Sequence, residues 1–269
     1  MAAAQQIQGQ GQHMVGPTPQ KKIQEIHEKV NGLGRSVANG NPLDETEWAR
    51  LKREAVQLQS ISGQKAAAFV AEAYLWSLKL NIKKFNECMA KAEQLGGPTH
   101  LWHSVRAVSA HRFGKAEMAF GLIDSGIARD NVTHMKNALS VASQNGMIVT
   151  AKTLIKQLEQ SGVDIFSDLN FKDTINIGIA SEYILSNNID EREIAKRVSF
   201  GCGVVHKLGY TPTGYQIIPD EDGGMTFEYK VEASDDDRAD IDMEIIEKVI
   251  AKFGDDMSRH ISLATAHPV

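Results

Sequence analysis

The sequence predicts a mainly α fold in which stacked helical hairpins form an α-solenoid, followed by a small C-terminal β-β-α-β module. Three observations predict it. Helix breaks at Asn81, Gly114 and Gly146 recur after 33 and then 32 residues, and a unit of that length is one helical hairpin that must stack on its neighbours to bury its apolar face. Gly96 and Gly162, which close two such units, lie 66 residues apart. After Gly214 the apolar spacing changes from the period of helices to the alternation of strands. The expected organisation is a tail over residues 1–17, a helical-hairpin domain over 18–209 and a small acidic α/β module over 210–269.

Taken in order, Met1 to Gly16 mix Ala, Gln and Gly with no basic start and no continuous apolar run. That pattern reads as a disordered tail and not as a secretory signal. From Lys21 to Ala38, Ile23, Ile26, Val30 and Leu33 recur at helical spacing, and Asn39-Gly40-Asn41-Pro42 ends the helix. Asp44 and Glu47 predict a capping box that opens a second helix to about Gln59. Gln64 to Gly96 forms the first regular unit, with Phe69, Ala73, Trp76 and Leu80 on one stripe and the inner break at Asn81. Gly96-Gly97-Pro98 closes it. The second unit runs from Thr99 to Asp130, broken at Phe113-Gly114, with Ala116 to Ile127 as its second helix. In the third, Thr133 to Gln144 and Val149 to Gln160 flank Asn145-Gly146, and Gly162 ends it.

Asp168 to Leu185, a break at Asn187-Asn188, and a helix opened by Asp190 and Glu193 and running to about Leu208 read as a last, irregular hairpin that caps the stack. Tyr215 to Ile218 and Met225 to Ala233 then read as strands joined across Asp220-Glu221-Asp222-Gly223-Gly224, with Phe227, Tyr229 and Val231 on one face. Ser234 caps an acidic helix with Ile241, Ile245, Val249 and Phe253 on one stripe, Gly254 ends it, and Arg259 to Thr265 reads as a third strand.

With 269 residues and 42% hydrophobic composition, the chain can bury a sizeable core. No run approaches the roughly 20 apolar residues of a membrane helix, so a cytoplasmic protein that uses no membrane is expected. Cys88 and Cys202 suit reduced thiols better than a disulfide framework. From Asp220 to Asp256, 14 acidic residues face Lys230, Arg238, Lys248 and Lys252, a balance of −10 that leaves +5 elsewhere in a chain of net charge −5. Phosphates would be repelled by such a module, which argues against nucleic acid as its partner. The open edges of its short sheet invite strand addition and hence homo-oligomers.

The segments His111-Arg-Phe-Gly-Lys-Ala-Glu-Met-Ala119 and Ser143-Gln-Asn-Gly-Met-Ile-Val-Thr-Ala151 place a small alanine five residues after a turn glycine, where it lets the two helices of a hairpin approach closely. On these residues the stretch from Gln64 to Gly162 resembles the tetratricopeptide repeat family. The first unit departs from it, with Asn81 at the turn and Asn86 where alanine is expected. The resemblance implies a groove lined by the first helix of each unit, onto which Lys79, Ser104, Val108, His111, Arg112, Lys136, Asn137, Ser140 and Gln144 map. It implies a non-enzymatic adapter or regulator that binds a protein or peptide partner, and the basic character of those positions suits an acidic or C-terminal segment.

Catalytic, cofactor and metal sites are not expected. His100, His103 and His111 fall close together, with His134 one repeat later, but no Cys, Asp or Glu lies between His100 and His111 to complete a metal site. Asp236, Asp240 and Glu244 align on one helix face, which a solvated helix start explains. The turn from Asp220 to Gly224 lacks the carboxylate a calcium loop needs in register. The alternative function is an enzyme or toxin-like effector whose chemistry lies in the acidic helix or in Cys202 and His206, four residues apart and on one helix face.

Overall fold

The computed structural model describes residues 19–97, 99–125, 131–164, 171–221 and 223–268. Among them the chain is mainly helical, with one three-stranded sheet near its C-terminal end. The helices are α1 (Pro19–Ala38), α2 (Glu45–Leu58), α3 (Lys65–Leu78), α4 (Ile82–Gln94), α5 (Thr99–Phe113), α6 (Glu117–Asp124), α7 (Val132–Gln144), α8 (Ile148–Gln160), α9 (Phe171–Ser186) and α10 (Glu191–Lys207). The strands β1 (Gly214–Pro219) and β2 (Met225–Lys230) follow, then α11 (Asp235–Phe253) and β3 (Ile261–Ala266). The tail, the expected helix end at Ile127, the helix start at Asp168 and Asp222 of the hairpin turn lie outside the described residues. No described helix is long and apolar enough to cross a membrane.

Each helix from α1 to α8 packs on the next, and α1, α3, α5 and α7 also touch one another in sequence. Gly114 (φ 65°) and Gly146 (φ 71°) make the left-handed turns between α5 and α6 and between α7 and α8. In the first unit that conformation falls on Leu80 (φ 52°). Asn81, the expected turn residue, instead caps α4 by accepting a hydrogen bond from Lys84 N at 3.0 Å. The register therefore differs by one residue from the sequence reading. Five residues after the left-handed position stand Ala119 and Ala151, both fully buried, and in the first unit the equally buried Phe85, while Asn86 is exposed.

Only half of each capping box expected at α2 and α10 forms. Glu47 N donates to Asp44 Oδ1 at 2.9 Å and Arg192 N to Asp190 Oδ1 at 2.9 Å. The acidic partners face forward instead of back. Glu47 binds Arg50 through both oxygens, at 2.6 and 2.8 Å, and Glu193 binds Lys196 and Arg197. A charge-assisted pair with a guanidinium outcompetes a second bond to a backbone amide. At α11, Ser234 Oγ accepts from Asp237 N at 3.1 Å and donates to the Asp237 carboxylate at 2.7 Å.

The sheet order is β1-β2-β3, with β1 antiparallel to β2 and β2 parallel to β3. The parallel pair needs a crossover, and α11 supplies it. Met225, Phe227 and Tyr229 share a buried face with Ile261, Leu263 and Thr265. That face rests on α10, where Tyr229 Oη donates to Val198 O at 2.7 Å. Gly201 makes the contact possible, because a Cβ there would lie 2.6 Å from the Tyr229 hydroxyl. Tyr229→Phe keeps the ring and is expected to destabilise by about 1 kcal/mol, the typical worth of one buried hydrogen bond. A urea midpoint unchanged from wild type would contradict that contact.

One continuous core runs from Ala107 of α5 through α7, α8 and α10 to Leu263 of β3, while α1 to α3 pack around Leu51, Leu58 and Leu75 in a second cluster. Helix α10 turns back onto α5, where Gly203 meets Gly114 backbone to backbone. Arg197 of α10 is 5% exposed and reaches Asp256 at 2.8 Å, fastening the end of α11 to the helical body.

Candidate functional site

Five helices present their last turns to one partly open cavity of about 310 Å³. Gly34, Arg35 and Ala38 come from α1, Tyr74 from α3, Val108, His111 and Arg112 from α5, Ser140 and Gln144 from α7, and His206 from α10. The segment from Thr211 to Tyr215, which leads into β1, forms the remaining wall. Helix C-termini carry partial negative charge and favour cations, which suits this end of the stack to hold a guanidinium.

Arg112 is the centre of the site. It is only 7% exposed, and among the described residues no carboxylate lies within ion-pair distance of it. Its Nη1 donates to Ser77 Oγ at 3.3 Å, and its Cζ lies 5.4 Å from the centre of the Tyr74 ring. Tyr74 is pinned in turn by Gly34, where a Cβ would overlap its hydroxyl. Arg197 shows the ordinary alternative, since it is equally buried and satisfied by Glu193 and Asp256.

The rings of His111 and His206 stand 6.1 Å apart and both are buried. His111 Nδ1 and His206 Nε2 have no hydrogen-bond partner among the described residues. Burial, reinforced by the Arg112 charge, holds the His111 imidazole well below its ordinary range and brings His206 down to about 3. Both rings are therefore neutral at physiological pH, each with one N–H donor and one acceptor nitrogen. His27 is lowered by burial too. These folded-state values lie below the unfolded value of about 6.5, so protons bind preferentially to the unfolded chain. Stability is complete above pH ~6.5 and falls as the pH drops below it, by up to about 1.4 kcal/mol per pH unit for each such histidine. The urea midpoint is expected to decline between pH 7 and pH 5, above most carboxylate titration, and His206→Gln to make that slope shallower. A flat profile in wild type would contradict neutral burial.

Of the nine positions mapped to the groove, the structure gathers Val108, His111, Arg112, Ser140 and Gln144 around this cavity. Gln144 Nε2 donates to Ser140 Oγ at 3.2 Å. The other four are elsewhere. Lys79 pairs with Glu45 at 2.5 Å and lies 4.0 Å over the Trp48 ring. Ser104 sits half-buried further back on α5, and Lys136 and Asn137 lie on α7 outside the cavity. Sequence reasoning missed Arg35 and the wall from Thr211 to Tyr215, and it paired His206 with Cys202 instead of His111. The glycines flanking Cys202 were the available signal, since glycine inside a helix marks close backbone approach.

The remaining chemical candidates stay apart. Cys202 is fully buried, its thiol pushed up to about 12 by burial, and it faces the Tyr215 hydroxyl at 3.7 Å. Cys88 is raised to about 12 for the same reason. Such thiols carry negligible thiolate at neutral pH and are poor nucleophiles. His100 stacks on His134 at 5.7 Å and His103 on Trp102 at 3.8 Å, and no cluster of three or more metal-ligating side chains occurs among the described residues. The acidic helix α11 packs on α10 and β3 and contributes nothing to the cavity wall. No protein-family model, curated protein or solved structure matches the chain.

Proposed function

We propose that the chain is a cytoplasmic, non-enzymatic adapter or regulator, in which tetratricopeptide-like hairpins stack so that their first helices offer a groove to a peptide or protein partner. Support comes from the row α1, α3, α5 and α7, whose members touch in sequence and turn their last turns to the same cavity. Hairpins stacked in one direction produce that parallel alignment of first helices. The observation that carries the reading is the convergence of Val108, His111, Arg112, Ser140 and Gln144 on one partly open cavity holding a buried cation without a carboxylate partner among the described residues. A partner segment with an acidic group complements it.

The test is an array of random octapeptides, acidic, neutral and basic, probed with the full chain. Acidic peptides should bind wild type, and Val108→Trp, which fills the cavity, and Gln144→Glu, which places a carboxylate inside it, should both lose them while keeping the wild-type circular dichroism. Failure of every peptide to bind more tightly than about 1 mM would remove the adapter reading.

A further inference from the structure

Arg112 has five N–H donors in a planar fork. Ser77 takes one of them at 3.3 Å, and Cζ lies 5.4 Å from the centre of the Tyr74 ring. No other group among the described residues accepts a hydrogen bond from the remaining Arg112 donors, and a guanidinium fork can grip a carboxylate through two parallel hydrogen bonds. His111 and His206 stand on the same wall, with His111 Nδ1 and His206 Nε2 buried against protein and unpartnered among the described residues.

Charge and size narrow the ligand. Arg112 is the one buried formal charge on the wall, because Arg35, the other ionised residue there, is exposed at the edge. A single positive charge balances a monoanion, whereas a phosphate dianion would bring a second, uncompensated charge into the interior. Arg35 adds attraction at the mouth during approach. At about 310 Å³ the cavity is at the small end of ligand pockets, which run from roughly 300 to 1,000 Å³. Tyr74, Val108, Pro212 and Tyr215 give it apolar walls beside the polar end. On one side it is bounded by His206 of α10 and the segment from Thr211 to Tyr215.

From this arrangement we infer that the cavity is a binding site for a small organic monocarboxylate with a short apolar body, gripped by Arg112 and assisted by the Gln144 amide. The site goes beyond the adapter reading, because a free carboxylate needs no partner protein. Its occupant would bridge α1, α3, α5 and α7 to the segment that leads into the C-terminal sheet, and so tie the two ends of the fold together.

The test uses the full chain, with isothermal titration calorimetry and thermal unfolding in sodium benzoate, benzamide, inorganic phosphate and the peptide acetyl-Ala-Ala-Ala with a free carboxyl end. Benzoate is expected to bind and to raise Tm, and benzamide, of the same shape without the charge, to bind at least about tenfold more weakly. Arg112→Met and Gln144→Glu should each lose benzoate by a similar factor while retaining wild-type circular dichroism; Gln144→Glu is close to isosteric and guards against a folding defect in the first. Equal binding of benzoate and benzamide, preference for phosphate, or unchanged affinity in both variants would overturn the site. If the peptide binds and benzoate does not, the small-molecule assignment falls and the adapter reading stands. If benzoate binds and the peptide array stays silent, the adapter reading falls and the small-molecule site stands.

Discussion

Replacing Gly203 by alanine is expected to destabilise the protein by about 1–3 kcal/mol, the usual penalty for overpacking a tight contact. Helix propensity alone says the reverse, since alanine inside a helix is favoured over glycine by about 1 kcal/mol. The contact decides the sign. A Cβ at position 203 would lie 2.7 Å from Gly114 Cα and 2.9 Å from Gly114 N, and both are backbone atoms that cannot rotate away. Gly114 cannot yield easily either, because its φ of 65° makes the turn between α5 and α6. Moving it would also disturb Arg112, two residues earlier. Gly178 of α9 is the control, with nothing within 4 Å of its Cβ position, and Gly178→Ala is expected to stabilise by about 0.5–1 kcal/mol. Urea midpoints that move in the same direction for both variants would contradict the close approach of α10 to α5.

Arg112→Met is expected to leave the ligand-free protein no more than about 1 kcal/mol less stable than wild type, and Gln144→Glu to stabilise it. A buried guanidinium loses several kcal/mol of hydration. Helix C-termini return about 0.3–1 kcal/mol each, and the long bond to Ser77 adds little. Ser77 is not orphaned by the change, since its hydroxyl donates to Tyr74 O at 2.7 Å. Methionine keeps the apolar stem and removes the uncompensated charge. The carboxylate introduced by Gln144→Glu would enter the same cavity and act as an internal competitor for the ligand. A loss above about 3 kcal/mol for Arg112→Met would mark the arginine as a structural anchor, as removal of one partner from a buried ion pair does. Arg197, with two carboxylate partners, makes the comparison concrete.

The helices are legible in the sequence because their apolar spacing is regular and their turns carry glycine. Gly114 and Gly146 adopt the positive φ that glycine permits. Leu80 takes that conformation without the residue type that announces it, and so the sequence pattern places the first turn one position late. The local spacing that puts Cys202 and His206 on one face of a helix cannot say what that face meets. Tertiary packing turns the thiol toward Tyr215 and the imidazole toward His111. From sequence, Arg112 and His111 read as surface positions of a groove, and exposure is where that reading falls short. Both are buried, because α10 folds back over α5 from about ninety residues downstream, a long-range contact that no local pattern encodes.

The most direct test is the side-chain Nε–Hε resonance of Arg112 in chain labelled with 15N-arginine, assigned by its loss from the Arg112→Met spectrum. On addition of sodium benzoate it is expected to shift downfield and sharpen as the carboxylate engages the fork, while the Arg197 signal, already held by Glu193 and Asp256, stays in place. An Arg112 resonance that stays put while benzoate moves other arginines, or that moves equally with benzamide, would contradict an anion site in this cavity.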